Sequence, residues 1–390
     1  MIPFEEAYRI VLGEAPGRTT EKVPLDACFD RFLAADIFSD TDLPPFHKAA
    51  VDGFAIRRED LSRELEVIET IPAGKTPEMN IGEGQCSRIM TGAMVPHGAD
   101  CILMVEDTET GDHGKIRFTR DKTADNIAFR GEDIKAGDKV LEAGTRLAPQ
   151  HLAVLAAAGV GEVPVTKKIK AAILSTGDEL TEPWEKPGSS KIRNTNAAQL
   201  VAQVIRAGGI PDYCGIARDE PEHLSQKITA ALEKNDVLLI TGGVSMGDLD
   251  FVPGVFRDLG IRILFHNVSI RPGKPVLFGR NNDRFIFGLP GNPVSSFVLF
   301  EVLVRPFLVK AMGGRTKEPE LRLPLGDDFH RRDSSRKAFI PVKILRGEIF
   351  PVDYHGSAHI HAYAHADGII TMETGTGKLE KGTLTYVRPV

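Results

Sequence analysis

The chain has 390 residues and a mass of 42.5 kDa, which is material for two to three domains and excludes a single small module. Hydrophobic residues at 42% and charged residues at 26% exclude disorder over most of the length, and 38 glycines with 25 prolines argue against coiled coils and helical bundles. A formal net charge of −6 leaves no global positive field to condense on a nucleic-acid backbone, so any anionic ligand must be met locally.

In chain order, FEEAYRIVLGEA from Phe4 reads as a helix, and a less regular amphipathic segment follows it to about Asp40. Pro44-Pro45 forbids helix, Asp52-Gly53 signals a turn, and Phe54–Ile56 begins a strand. From there to about Val140, short β-like runs (LEVIET, CILMVED, KIRF) alternate with Gly-rich turns, which predicts a β domain. PQHLAVLAAAG from Pro149 is a helix stopped by Gly159, and VGEVPV leads into a mixed region. After Lys170 the rhythm changes: strand AAILST, helix NTNAAQLVAQVIRAGG capped by Thr195 or Asn196, strand PDYCGIA, then helix PEHLSQKITAALEKN. Strand DVLLITGG, helix DLDFVPGVFRDLG, strands PVLFG and FIFGLP, and a long helix NPVSSFVLFEVLVRPFLVKAM complete it. This alternation predicts an α/β domain over roughly 168–312 with a mostly parallel sheet covered on both faces. From about Lys317 short strands resume, which predicts a small terminal β domain.

Four scattered cysteines, Cys28, Cys86, Cys101 and Cys214, form no CxxC pair, which argues against a zinc cluster or a disulfide scaffold and for a reducing cytoplasm. The N-terminus lacks a basic segment followed by an apolar one, and no apolar run reaches the roughly 18 residues that span a bilayer. Neither export nor a membrane is expected.

In open α/β sheets ligands bind beyond the carboxyl ends of the strands, and three candidate loops lie there. Ser175-Thr176-Gly177-Asp178-Glu179-Leu180 offers hydroxyls, a glycine and two carboxylates. In Thr241-Gly242-Gly243-Val244-Ser245-Met246-Gly247-Asp248, the glycines let backbone N–H groups approach an anion, and Thr241 and Ser245 add hydroxyls. Leu289-Pro290-Gly291-Asn292-Pro293 opens the long helix, where the macrodipole favours phosphate. Any one loop is explained as a tight strand–helix connection; three after strands of one sheet point to an anion site. None is a Walker A or GxGxxG pattern, which disfavours ordinary kinases and dinucleotide dehydrogenases.

Asp178, Glu179, Asp248 and Asp250 offer oxygen ligands to Mg²⁺, with Asp178 and Asp250 the leading pair; N-capping is the alternative for Asp248 and Asp250. Arg271-Pro-Gly-Lys274-Pro places two cations on a stiff turn suited to a tetrahedral dianion, or else solvated at a strand edge. Asp52 in AAVDGF and Asp133 in RGED, as carboxylates beside glycine, read first as turn residues and second as catalytic ones. His355, His359, His361 and His365 lack carboxylate or cysteine support, so a structural or surface role is expected for them.

Nine ordered motifs, LPPFHKAAVDGFAI, RIMTGAMVPHGADCILMVED, FRGEDI, LSTGDEL, IRNTNAAQL, TGGVSMGDLDF, RPGKPVLFG, GLPGNPVSS and HGSAH, resemble the molybdopterin molybdenumtransferases, the MoeA and gephyrin E-domain family. The resemblance runs from about residue 3 to the C-terminus. It implies a homodimer of elongated subunits. Each would have a discontinuous N-terminal dimerisation domain (1–38 and 134–167), an inserted β domain (39–133), a MogA-like α/β domain (168–312) and a C-terminal β barrel (313–390). It also implies an activity: molybdate is inserted into adenylylated molybdopterin with release of AMP, with Mg²⁺ as the usual divalent ion. An adenylyltransferase would supply the substrate, and molybdoenzymes or cofactor-maturation proteins would accept the product.

Carried over by position, the resemblance assigns catalytic carboxylates to Asp52, Asp133, Glu179, Asp219 and Asp250, with Asp52 and Asp133 acting across the dimer. Arg271, Lys274 and Ser357 match the molybdate contacts. Thr176, Gly177, Asp178, Thr241, Gly242, Gly243, Ser245, Pro290, Gly291 and Asn292 match the substrate and nucleotide contacts. There are departures: His47 and Ala49 stand where the family often has Asp and Ser, Asn267 where a cation is common, and Pro341 where a molybdate-binding arginine is expected. Arg336 or Lys337 is the expected replacement. Rival readings are the adenylyltransferase sister activity, against which the extra β domains weigh, and an inactive or scaffold paralogue.

Overall fold

The structure, a computed structural model, describes residues 1–17, 19–244, 251–315, 321–354, 356 and 358–390. Helix α1 (Phe4–Gly13) sets Ala7 and Val11 four residues apart on one face, and both are fully buried. Strand Thr20–Pro24 then pairs antiparallel with Glu162–Thr166, and Ile37–Phe38 pairs with Lys139–Leu141. These two distant stretches share one core of Cys28, Leu33, Leu147, Leu155, Val163 and Val165, with α2 (Pro149–Ala157) contributing Leu155. The intervening chain forms a six-stranded sheet in the order Cys101–Met104, Gly53–Ile56, Gln85–Ile89, Glu64–Ile71, Ile116–Phe118, Thr108–Thr110.

The α/β region is built on β1 (Lys170–Thr176), β2 (Ile210–Ala217), β3 (Val237–Thr241), β4 (Arg262–His266), β5 (Leu277–Asn281) and β6 (Arg284–Leu289). The order across this sheet is β2-β1-β3-β6-β5-β4; the first four strands run parallel, and β5 and β4 are antiparallel to their neighbours. Its central strands are apolar without a break because both faces are covered. Ala171, Ile173, Val237 and Leu239 enter one core, while Ala172, Leu174, Leu238 and Ile240 enter the other. Helices α3 (Thr195–Arg206) and α6 (Pro293–Leu299) pack in the first core, and α4 (Pro221–Lys234) and α5 (Val252–Asp258) in the second. Truncating a core residue such as Leu239 to alanine costs about 2–5 kcal/mol at sites of this kind.

The expected long helix after Asn292 is interrupted. Between α6 and α7 (Arg305–Ala311) lies one wide π turn, Phe300–Val304. Pro306 lies two residues beyond it, and a proline cannot give the ordinary i→i−4 bond. The π turn carries the fully buried Glu301, which accepts from Gln203 Nε2 at 2.6 Å and pairs with Arg206 and Arg305. Arg388, near the C-terminus, donates to the Glu301 carbonyl at 3.2 Å.

The C-terminal region is a sheet of Leu321–Pro324, Lys337–Leu345, Glu348–Pro351, Gly368–Met372 and Leu384–Pro389. Ile270–Arg271, from the α/β region, pairs in parallel with Lys337–Ala338 at one edge. An isolated bridge joins Leu325 to Ile349. The chain therefore folds as an α/β unit with β-rich regions before and after it.

Candidate functional site

The chain leaves β1 for β2 on one side of the sheet and returns to β3 on the other, so a crevice opens between the carboxyl ends of β1 and β3. Ser175 and Thr241 are register partners there. Thr241 Oγ1 donates to Ser175 Oγ at 3.3 Å, and Ser175 Oγ donates to Asn194 Oδ1 at 3.1 Å. Asn194 Nδ2 donates to Tyr213 Oη at 3.0 Å, and Tyr213 in turn donates to Glu182 at 2.8 Å. This chain of side chains fixes the crevice floor, and it directs the buried Thr241 hydroxyl into the protein.

Asn194 also caps α3, accepting from the Ala197 N–H at 3.2 Å. Thr195, expected as the cap, is the first residue inside the helix. Asn196, the other expected cap, is used differently, since its Nδ2 donates to the Gly291 carbonyl at 2.8 Å and ties α3 to the third loop.

The three loops converge. The Gly242 N–H donates to the Leu289 carbonyl at 3.1 Å, and a Cβ added to Gly291 would lie 3.9 Å from the Gly242 Cα. Gly242 and Gly243 have φ of 89° and 60°, in the region that favours glycine. Helix α6 begins at Pro293, one residue beyond Asn292, so its positive dipole end adjoins the same loop. Two buried polar atoms here, Thr176 Oγ1 and Asn196 Oδ1, have no hydrogen-bond partner of good geometry among the described residues. Val244 is anchored through its carbonyl, 2.9 Å from His266 Nε2.

Asp178, Glu179 and Asp219 gather at the crevice mouth. The Asp219 N–H lies 3.5 Å from Asp178 Oδ1, and the Glu179 carboxylate folds back over Gly177. Burial first, then the Asp178 and Glu179 charges, raise the Asp219 carboxyl above its ordinary value, while hydrogen bonding from Asp178 and Thr176 opposes this. Asp178 and Glu179 are exposed. Among the described residues no three metal-ligating side chains form a closed cage. This donor set fits Mg²⁺ in its usual manner, with one or two protein carboxylates completed by water and substrate phosphate. Ser245, Asp248 and Asp250 lie outside the described residues.

The turn Arg271–Pro275 reaches the same edge of the sheet. It precedes β5, which is antiparallel to β6, and Leu277 at the start of β5 pairs with Gly288 near the end of β6. Arg271 is exposed and 4.0 Å from Asp333; Lys274 is also exposed. Arg336 donates to the Ile270 carbonyl at 3.3 Å and lies 3.8 Å from the same Asp333. Arg331 adds a third guanidinium, its pKa lowered by burial and by the nearby Arg271 charge. A local positive surface thus exists within an acidic chain.

Lys337 does not join it. Its ammonium is 2.8 Å from Glu5 and 2.9 Å from Glu373, and these carboxylates raise its pKa against the opposing effect of burial. Of the two expected replacements at the cation surface, only Arg336 lies beside Arg271. Pro341 is a strand residue opposite Ile369, and Asn267 occupies a positive-φ position at 68° with its carbonyl accepting from Ile2. Ser357 and His355 lie outside the described residues. The His361 and His365 rings pack edge to face at 5.1 Å.

Asp52 and Asp133 lie in the β region before the α/β unit, and neither makes a hydrogen bond or ion pair with the three loops among the described residues. Asp52 accepts from both the N–H and the hydroxyl of Thr91, at 2.6 and 2.7 Å, which lowers its pKa. Asp133 is exposed. His47 accepts from the Arg130 N–H at 3.1 Å and packs on Phe129, while Ala49 is buried. Sequence reading missed Asn194 and Tyr213 and gave Asn196 only as a helix cap; the capping preference was the one available signal, and it pointed one or two residues late.

Among the described residues no helix is long and apolar enough to cross a membrane. Three family models match the chain. The MoeA N-terminal region (domain I and II) matches residues 2–159, a "probable molybdopterin binding domain" matches 172–310, and the MoeA C-terminal region (domain IV) matches 322–389. The molybdopterin molybdenumtransferase of Bacillus subtilis (strain 168) is 37% identical over 401 aligned positions, covering 99% of this chain and 93% of that protein. Its counterpart in Staphylococcus epidermidis (strain ATCC 12228 / FDA PCI 1200) is 32% identical over 397, covering 99% and 95%. A crystal structure of the molybdopterin biosynthesis moeA protein from Pyrococcus horikoshii OT3 superimposes with a TM-score of 0.86 at 32% identity, covering 100% of both chains.

Proposed function

The chain belongs to the MoeA family of molybdopterin molybdenumtransferases, and from that premise we propose how its own residues insert molybdate into adenylylated molybdopterin with release of AMP. The observation that carries the reading is the meeting of three glycine loops, a carboxylate cluster and an arginine-lysine turn at one edge of one sheet. Splitting a phosphoanhydride requires positioning and fixed charge more than a covalent nucleophile.

Gly242, Gly243 and the Pro290–Asn292 loop hold the phosphates, with the Thr176 hydroxyl beside them and Asn196 Oδ1 accepting from a water. Gly177 lets the Glu179 carboxylate lie against the strand end. Asp178 and Asp250 would hold Mg²⁺, joined by Asp219 at the crevice mouth; bound there, the ion would supply charge neutralisation at the phosphate oxygens. Arg271 and Lys274, with Ser357 and Arg336, hold molybdate against the dithiolene. Asp52 and Asp133, which make no hydrogen bond or ion pair with these loops among the described residues, complete the site from a second subunit of a homodimer.

The domain plan is part of the reading: 1–38 with 134–167 for dimerisation, 39–133 inserted, 168–312 MogA-like, and 313–390 a β barrel. The shared core of the two N-terminal stretches and the Leu325–Ile349 bridge support it. A cytoplasmic place between an adenylyltransferase and molybdoenzyme acceptors follows from the substrate and product. Complementation at low molybdate of a strain lacking this enzyme tests the function; failure to restore molybdoenzyme activity with well-expressed protein favours the inactive-paralogue reading.

A further inference from the structure

The chain has one tryptophan, Trp184, and it is 77% exposed. Exposing so large an apolar side chain forgoes the gain that burying it would bring. The exposure is not explained by a loose loop. Glu185 accepts from the Thr181 hydroxyl, and its N–H donates to the Glu182 carbonyl at 3.0 Å. Arg193 Nε donates to the Glu185 carbonyl at 3.2 Å, and Leu180–Thr181 pairs in parallel with Ile192–Arg193. Bonds on both sides of Trp184 thus hold its backbone while its indole faces solvent.

The same loop is wired to the crevice. Glu182, two residues before Trp184, accepts from Tyr213 at the end of the hydrogen-bonded chain that begins at Thr241. Lys191 donates to the Asp178 carbonyl, so the far arm of the loop is fastened to the carboxylate cluster. Ile192, beside it in sequence, is 58% exposed and adds a second apolar surface. A rigid, exposed aromatic attached to a phosphate crevice suits a ligand that carries a flat ring on its phosphates.

We propose that Trp184 is a stacking platform for a planar heteroaromatic ring of the substrate, either the adenine or the pterin, and so a binding residue of this site. The inference rests on the function proposed above, because that substrate carries a ring on each side of its anhydride. Stacking present equally in ground and transition states lowers KM and leaves kcat unchanged.

Because the indole is unique, its fluorescence reads the contact directly. AMP and a free pterin are titrated separately, in the presence of Mg²⁺, into the full-length protein, with emission followed at several protein concentrations. Saturable quenching by AMP assigns the platform to adenine, and quenching by the pterin assigns it to the pterin. Trp184→Ala is expected to raise KM for adenylylated molybdopterin on the order of tenfold at unchanged kcat, with Trp184→Phe recovering most of the loss. If neither ligand alters the emission and Trp184→Ala turns over with wild-type KM, the platform is wrong while the transferase reading stands. If emission shifts with protein concentration alone, the indole belongs to a contact between copies and the proposal fails. Wild-type protein that binds AMP with quenching yet releases none from adenylylated molybdopterin would overturn the transferase reading and leave the stacking contact intact.

Discussion

Gly242 sits against Thr176 so closely that a Cβ on it would lie 2.3 Å from the Thr176 carbonyl oxygen. The first two loops of the site touch through this glycine, and its φ of 89° is one that a side chain resists.

Gly242→Ala is therefore expected to cost about 3 kcal/mol or more, from clash and backbone strain together. Gly291→Ala is the control: its φ is not in the left-handed region, and the new Cβ would meet nothing closer than 3.9 Å. Denaturant unfolding of both variants checks this, and equal losses would contradict the packing described.

Asn194→Ala removes the α3 cap and strands Ser175 and Tyr213. The cap is worth about 1 kcal/mol and each buried bond about 1 kcal/mol more, so a loss of about 2–4 kcal/mol is expected by thermal or chemical unfolding.

Much of this region was legible in sequence. Strands β1, β3 and β6 show as unbroken apolar runs, and their Gly-rich ends announce the loops. The cap was misplaced because Asn194-Thr195-Asn196 offers three capping residues in a row, and only the backbone decides among them: Asn194, at ψ 87°, is the one outside the helix. The arrival of Arg271–Pro275 at the same edge was not legible, since it depends on β5 reversing direction against β6. Nor was the capture of Lys337 by Glu5, a partner 332 residues away in sequence.

Lys337→Ala is expected to lower stability by about 1–2 kcal/mol, through loss of the carboxylate pairs and of the contact over the Phe4 ring at 5.2 Å. Molybdate affinity should be unchanged in that variant and reduced in Arg336→Ala. Calorimetric titration with molybdate checks both, and weaker binding in Lys337→Ala would return that residue to the anion surface.

Asp219 sets a pH dependence. Its carboxyl is raised in the folded protein above the ordinary 3.8, so the folded state holds the proton longer than the unfolded state. Its contribution to stability is favourable only in acid and is lost as pH rises from about the ordinary value through the raised one. Asp219→Asn is then expected to melt higher than wild type at pH 7, with the difference shrinking on acidification through that window. A difference independent of pH would contradict the shift. If Asp219 binds Mg²⁺ as proposed, added Mg²⁺ raises the wild-type melting temperature more than that of Asp219→Asn, and chelation removes the difference.

Molybdenum insertion at this site is tested most directly by following AMP released from adenylylated molybdopterin by the purified protein in Mg²⁺, with and without molybdate. Release is expected to depend on molybdate, to be abolished by chelation, to be absent in Asp219→Asn, and to be weakened in Lys274→Ala in a way that higher molybdate restores. Release that ignores molybdate, or that survives loss of both side chains, would contradict the assignment.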